Sequence, residues 1–156
     1  MKIYTSYFYQ IRFFRSHQIP LSTAVWDPKW FHDFKGQEHV FIDKNGVING
    51  IRLEYLNPKL CNAGGCPCKI KDPSTCWFIK SYKKGLERWN FNDIYGMLSG
   101  TAEYVQRLLG FSDEPEIMLI VHEAPDNPCS ERTPLQEYFK EHGIEVKEWN
   151  KDEEVC

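Results

Sequence analysis

The sequence has no long run of lysine or arginine and no apolar stretch long enough to cross a membrane. Its 156 residues include 19 Lys and Arg against 22 Asp and Glu, so the formal net charge is −3. This balance excludes a protein that binds nucleic acid by bulk electrostatic attraction. The first residues, MKIYTSYFYQIRFF, are too polar and too short for a signal peptide or a membrane span. We therefore expect a one-domain cytoplasmic protein with no membrane partner.

Cysteine is sparse along most of the chain, but four of the six cysteines form one cluster with the spacing C-x4-C-x-C-x7-C. Because no secretory signal is present, clustered cysteines favour a metal over disulfides. Four thiolates in one Gly- and Pro-turned loop are typical of a structural zinc site. An iron–sulfur cluster is the second interpretation, since C-x-C is tighter than the usual C-x2-C. Free or disulfide-bonded thiols are the third. The expected zinc ligands are Cys61, Cys66, Cys68 and Cys76.

Five consecutive apolar residues, 117–121, predict a strand that is buried on both faces in the middle of a parallel sheet. The run ends at His122 and Glu123, and a turn-rich APDNP segment follows. A thiol, a hydroxyl, a carboxylate and a guanidinium then precede a predicted helix: Cys129, Ser130, Glu131 and Arg132. Open α/β sheets bind ligands at such strand-to-helix junctions, so the sequence predicts a site here.

The helix after this junction has recognisable end signals. Thr133 and Gln136 have the spacing of a capping box, and Gly143 suits the end of the helix. The alternative start is Asn127, which would place Pro134 inside the helix and kink it. In both cases the four residues before Thr133 lie within a turn of a helix N-terminus, whose free amides favour an anion.

Two strands predicted near the start of the chain, over 2–8 and 19–26, suggest a βαβ unit whose strand ends would lie beside His122. The connection between them is predicted to be irregular or a short helix. Polar and aromatic residues at the two strand ends therefore join the expected pocket: Thr5, Ser6, Tyr7, Trp26, Asp27 and Lys29.

The middle of the chain changes character. Asn45-Gly46 between two apolar runs predicts a hairpin within 39–55, as an edge hairpin or an extended excursion. Together with the cysteine cluster it forms an insertion at about 39–76. Helical spacing then predicts a helix containing Phe78, Tyr82, Leu86 and Trp89, and one or two more helices broken near Gly100. The predicted core positions of the latter are Ile94, Leu98, Tyr104, Val105, Leu108 and Leu109, and alternation over 144–146 predicts a short last strand.

These elements predict a small Rossmann-like α/β fold with three layers, a mainly parallel sheet and an inserted Cys-rich loop. Three segments, IYTSYF, IPLSTAVWDPKWF and VHEAPDNPCSER, also resemble the DUF488 family of small α/β proteins. That family carries an IYTIG-like first strand, a second strand ending near Asp, Arg and Pro, and a late Glu-x5-Cys-x-Arg type motif. The resemblance implies one domain over 1–156 and a site that includes Glu123, Cys129 and Arg132. Some members of the family also contain a cysteine cluster.

The sequence departs from the family pattern at two places. Ser6-Tyr7 replaces the glycine of the first strand, and Cys-Ser-Glu-Arg stands where Cys-His-Arg is usual. Because the family has no firmly established activity, the resemblance bears on the fold and the site more than on the reaction.

Each residue of the expected site has two interpretations. Cys129 is either a nucleophile activated by helix amides and Arg132 or a small buried residue in a turn. Arg132 either holds a phosphate or carboxylate or pairs with Glu123 or Glu131. His122 and Glu123 are either acid and base or, in the case of Glu123, a partner that fixes an arginine or a turn.

We expect an enzyme-like pocket for a small phosphorylated or nucleotide-like ligand, acting by hydrolysis or group transfer. Arg132 and the helix N-terminus would hold the anion, Trp26 or Tyr7 would stack on a ring, and Glu123, His122 or Cys129 would carry out the chemistry. The remaining expected ligand-binding residues are Ser130, Thr5, Ser6, Asp27 and Lys29. The alternative is a non-catalytic, zinc-containing module that binds a protein or nucleic acid through its aromatic face.

Overall fold

The computed structural model describes residues 1–32, 40–58, 74, 76–127 and 129–151. Five of its strands form one sheet: β1 (Lys2–Tyr7), β2 (Gln18–Ser22), β5 (Ile51–Arg52), β6 (Glu116–Val121) and β7 (Lys147–Glu148). Their order across the sheet is β5-β2-β6-β1-β7, and each neighbouring pair is parallel. A separate antiparallel hairpin joins β3 (Phe41–Ile42) to β4 (Ile48–Asn49). The described chain is therefore an α/β fold with a parallel sheet.

Strand β6 occupies the centre of the sheet because its apolar residues can be buried on both faces. Residues 117–121 are fully buried, and the strand pairs with β1 on one side and with β2 on the other. Tyr7 lies beside Val121 and Ser22 beside Ile120, so the three strands end together. This confirms the predicted central strand, and the first two strands do end beside it. The second strand is shorter than the predicted 19–26, because the chain leaves the sheet after Ser22.

The two faces of the sheet are covered differently. Three α-helices, α1 (Trp77–Leu86), α2 (Phe91–Leu109) and α3 (Arg132–Glu141), pack on the face that carries Ile117 and Leu119. The opposite face, with Met118 and Ile120, is covered by the 3-10 helices Phe8–Phe13 and Lys29–Phe31 and by Trp149. Only ten residues link β1 to β2 across β6, which leaves room for a 3-10 turn rather than an α-helix.

Helix α2 differs from its prediction in two ways. It is continuous through Gly100, and it runs from an Asn90 side-chain cap to Gly110, whose φ is 74°. A side chain at position 100 would meet no other part of the described chain, so this glycine is not required by close packing. The predicted core positions Tyr104 and Leu108 are wrong: they are 57% and 51% exposed because they lie on the outer side of the helix. Buried positions confirm the rest of the inward face, including Ile94, Leu98 and Val105.

The predicted hairpin turn at Asn45-Gly46 is confirmed, with Gly46 at a φ of 77°. The sequence did not predict that the chain leaves this hairpin directly into β5, which joins β2 as an edge strand of the main sheet. The short last strand is β7, one residue beyond the predicted 144–146. Among the described helices, none is long and apolar enough to cross a membrane.

Candidate functional site

The guanidinium of Arg132, the first residue of α3, is almost entirely engaged within the protein. Its Nε donates to Glu148 Oε1 at 2.8 Å, and its Nη atoms donate to the backbone carbonyls of Glu123 and Ala124 at 2.7 and 2.9 Å. The residue is 6% exposed. This geometry favours the structural interpretation of Arg132, with Glu148 as its partner rather than the side chains of Glu123 or Glu131. The arginine fixes the β6–α3 turn to the edge strand β7.

Thr5 belongs to the same network. Its Oγ1 donates to Glu148 Oε1 at 2.8 Å and accepts from Gln136 Nε2 at 2.8 Å. Gln136 therefore reaches β1 instead of forming the predicted capping box with Thr133, and α3 begins at Arg132 without a side-chain cap. Neither predicted helix start is observed: α3 begins at Arg132, and the Asn127 side chain accepts from the Cys129 amide within the turn. Gly143, with a φ of 82°, follows the helix end as predicted.

Two carboxyl groups lie at the end of β6, and they differ in burial. Glu123 is partly exposed, and its Oε2 accepts a hydrogen bond from Ser130 Oγ at 3.3 Å. Glu131 is 3% exposed, and its Oε2 has no hydrogen-bond partner among the described residues. Burial raises the pKa of Glu131 well above its usual range, and the neighbouring charge of Glu123 raises it further. A backbone hydrogen bond from His122 and the charges of Arg132 and Arg52 oppose the rise without cancelling it.

A second cluster forms where β2 and β5 end. Asp27, whose side chain is 2% exposed, accepts from Ser22 Oγ and from Arg52 Nη1, and it lies 3.4 Å from His32 Nε2. Arg52 Nη2 also donates to the Ala24 carbonyl at 2.7 Å. Asp27 thus holds the β2 turn to the edge strand β5, as Arg132 holds the β6–α3 turn to the edge strand β7. The charge of Arg52 also lowers the pKa of Glu131, against the larger rise caused by burial.

The other expected site residues are spread around this edge. Cys129 is 2% exposed in the core on the α-helical face, as in its interpretation as a small buried residue. Trp26 is 76% exposed, and Lys29 and His122 are also exposed. Ser6 is fully buried, and its Oγ has no partner among the described residues. Tyr7 accepts a hydrogen bond from Gln10, and its ring lies 5.9 Å from the Arg132 guanidinium.

Three of the four expected zinc ligands, Cys61, Cys66 and Cys68, lie outside the described residues. Cys76 is buried immediately before α1. Within the described residues, no group of three or more His, Cys, Asp or Glu side chains could hold a metal ion. The zinc site stays a prediction.

Sequence reasoning missed Arg52 and Glu148, and it named Glu131 only as a junction residue and an alternative partner of Arg132, without a chemical role. Glu131 stands inside the recognised CSER segment, so its proximity to Glu123 and a helix start was an available signal. Arg52 and Glu148 occupy two-residue edge strands, and no local pattern shows that these strands meet β2 and β1. No family model matches the chain, and neither a curated protein nor a solved structure matches it.

Proposed function

We propose that the protein is an enzyme in which Glu123 and Glu131 form an acid–base pair for hydrolysis or group transfer on a small phosphorylated or nucleotide-related ligand. The supporting observation is the buried Glu131 carboxyl beside a second carboxyl at the ends of parallel strands. A buried carboxyl without full pairing is costly for folding, and such perturbed groups concentrate at functional sites.

The different environments of the two carboxyls suggest different roles. Glu131 keeps its proton at a pH where an ordinary carboxyl has lost it, so it is the acid that protonates a leaving group. Glu123, partly exposed and held by Ser130, is the base that takes a proton from the attacking water or hydroxyl. A proton shift from Glu123 back to Glu131 then resets the pair.

The proposal changes the role expected of Arg132. Its guanidinium positions the turn that carries Glu123, so it is a positioning residue and not the main anion-binding group. The exposed Lys29, which follows β2, is the cation that we propose for a phosphate, and the exposed His122 at the end of β6 offers it a ring N–H donor. The DUF488 resemblance supports this location, because Glu123 and Arg132 of this chain both belong to the motif that carries the resemblance.

The test is turnover of a panel of phosphomonoesters and nucleotides by wild type, Glu123→Gln and Glu131→Gln. Loss of one partner in general acid–base catalysis should lower kcat by about 100-fold or more. Glu103→Gln, an exposed change on α2, is the control and should retain full activity. If both site variants fold normally and keep wild-type turnover, the acid–base pair is refuted.

We also propose one structural zinc held by Cys61, Cys66, Cys68 and Cys76. The support is the spacing of the four cysteines in the sequence and the position of Cys76 immediately before α1. Elemental analysis of anaerobically purified protein should give one zinc per chain. Cys66→Ser should lower both the zinc content and the thermal stability, whereas Cys156→Ser should change neither. Iron with acid-labile sulfide instead of zinc would favour the cluster interpretation.

A second candidate function, binding of single-stranded nucleic acid, is supported by cations stacked on aromatic rings. The Arg12 guanidinium lies 4.0 Å from the centre of the Tyr9 ring, and Lys151 Nζ lies 4.2 Å from the centre of the Phe13 ring. Tyr9 is 51% exposed and can stack on a base. Tyr9→Ala should weaken binding of a fluorescent oligonucleotide about tenfold, and the similarly exposed Tyr104→Ala should not. Equal affinities of both variants would exclude this surface.

A further inference from the structure

A cavity of about 830 Å³ lies on the 3-10 side of the sheet, away from Glu123 and Glu131. One wall comes from the two 3-10 helices and the other from the β3–β4 hairpin. Most of its accessible surface is apolar, and its aromatic lining residues are Phe8, Phe13, Trp30 and Phe41. Small-molecule sites in proteins have this size, with mostly apolar linings and a few polar groups that orient the ligand.

Apolar side chains on both walls of the cavity are open to a ligand. Trp30 on the first wall is 47% exposed, and Ile42 on the second is 53% exposed. The Trp30 ring also packs edge-on against Phe8, with centroids 6.1 Å apart, and against Phe31, with centroids 6.4 Å apart. Because these contacts restrain the indole, a planar ring can stack on it at little cost in side-chain entropy.

Two exposed cations, Arg12 and Lys44, line the same cavity. Asn45 Nδ2 donates to the Arg12 carbonyl at 3.2 Å, so the hairpin turn that carries Lys44 is joined to the 3-10 helix that carries Arg12. Arg12 Nε donates to the Tyr9 carbonyl at 3.0 Å, but the Arg12 Nη groups and Lys44 Nζ have no hydrogen-bond partner among the described residues. Both cations are therefore available to an anion at this end of the cavity.

Asp43, an acidic residue that also lines the cavity, is engaged within the hairpin turn. Its Oδ1 accepts from the backbone amides of Asn45 and Val47 at 2.8 and 3.1 Å. Its Oδ2 accepts from Asn49 Nδ2 at 3.0 Å. The carboxylate thus stabilises the turn, and in the described part of the chain it forms no ion pair with Lys44. With two cations against one engaged carboxylate, this end of the cavity favours an anionic group.

We propose that this cavity binds an aromatic carboxylate, a ligand with a flat apolar ring system and one anionic group. The ring system stacks on Trp30, and the carboxylate accepts charge-assisted hydrogen bonds from Lys44 and Arg12. A neutral or cationic group on the same ring system lacks these bonds and binds more weakly. This site does not depend on the acid–base pair at the end of β6, so Glu123→Gln should leave its affinity unchanged.

NMR titration of the isotope-labelled full chain with naphthoate and with the corresponding naphthamide tests the proposal directly. The two compounds have the same ring system and nearly the same size, but only naphthoate is charged. Naphthoate should bind saturably and shift the indole N–H signal of Trp30, and naphthamide should bind about tenfold more weakly. Equal affinities would overturn the role of the cations, and the absence of a saturable shift of the Trp30 signal would overturn the site.

Two tryptophan variants form a matched pair for the stacking contact. Trp30 and Trp77 are both 47% exposed, but Trp77 begins α1 and does not line the cavity. Trp30→Ala should weaken naphthoate binding by about tenfold, since stacking between aromatic rings adds to the apolar area that they bury. Trp77→Ala should not change it. Equal losses in the two variants, or none in Trp30→Ala when circular dichroism shows that it is folded, would contradict the proposal.

Two lysine variants form a second pair for the charge contact. Lys44 and Lys84 are both exposed, but Lys84 lies on α1, across the sheet from the cavity. Lys44→Gln should weaken naphthoate binding by about threefold, the size expected for one exposed ion pair, and should leave naphthamide binding unchanged. Lys84→Gln should affect neither compound. Equal effects of Lys44→Gln on the two compounds would show that the cavity does not select an anion.

Discussion

Two buried acidic side chains at the same edge of the sheet, Asp27 and Glu131, are accommodated in opposite ways. Asp27 is surrounded by donors: the guanidinium of Arg52, the hydroxyl of Ser22 and the imidazole of His32. Glu131 lies beside a second carboxyl, Glu123, and one of its oxygens has no partner among the described residues.

The difference shows that buried carboxyl groups differ in charge state according to the donors around them. A carboxylate can be buried when paired donors replace its hydration, and it then joins structural elements. A carboxyl without such donors retains its proton instead, so its pKa rises and it becomes available for acid chemistry. Asp27 is thus held by paired donors and Glu131 is not, although both are buried at strand ends.

The largest expected effect on stability comes from Arg132, a buried charge that is fully paired, like Asp27. Arg132→Ala leaves Glu148 and two backbone carbonyls without their donor, so the free energy of unfolding should fall by about 3–5 kcal/mol. Urea denaturation measures this loss. The exposed Arg107→Ala on α2 is the control and should change stability by less than about 0.5 kcal/mol. A folded, fully stable Arg132→Ala would restore the anion-binding interpretation.

A direct contrast compares Asp27→Asn with Glu131→Gln, which are equivalent chemical changes. Asp27→Asn removes the charge that Arg52 requires and should cost about 2 kcal/mol. Glu131→Gln replaces a protonated carboxyl by a neutral isostere, so its effect near neutral pH should be within about 1 kcal/mol of zero. Similar losses from both changes in urea denaturation would show that Glu131 is an ordinary paired carboxylate.

The pH dependence of stability sharpens the same comparison. Because the folded-state pKa of Glu131 is raised, its protonated form favours folding fully below the ordinary carboxyl pKa of 4.5, and this advantage is lost as pH rises toward the folded-state pKa. The wild type should therefore lose stability relative to Glu131→Gln as the pH rises from 4.5 toward the raised folded-state pKa. Urea midpoints of both proteins across that range provide the measurement. Parallel pH curves would mean that Glu131 titrates normally.

The smallest expected effect concerns Thr5. Thr5→Val removes two hydrogen bonds in the Glu148 network but leaves the Arg132–Glu148 pair in place. The loss should be about 1 kcal/mol, which thermal unfolding can resolve. Thr101→Val, which breaks a single local bond to the Met97 carbonyl within α2, should cost less. A larger loss from the α2 variant would indicate that the network contributes little.

Local sequence patterns predicted the central strand of the sheet but not the pairing of its two edge strands. The apolar run of β6 and the helical spacing of α1 are strong periodic signals, and both elements occur, although α1 ends at Leu86 and leaves out the predicted Trp89. Strands β5 and β7 contain two residues each, so their place in the sheet depends on long-range pairing. The partners of Asp27 and Arg132 come from these two strands. For that reason the strand-to-helix junction could be predicted from the sequence, but the ion-pair partners of its charged residues could not.

The position of β6 between β1 and β2 has a consequence for the order of folding. β1 and β2 do not pair with each other, and the partner they share arrives late: Gln18 and Glu116, bonded at the start of their strands, are 98 residues apart. At ribosomal rates of about 5–20 residues per second, the first two strands emerge roughly 5–20 s before that partner. Because such high contact order slows folding, we expect β1 and β2 to lack the strand that joins them during synthesis, and the five-stranded sheet to form only after translation of β6.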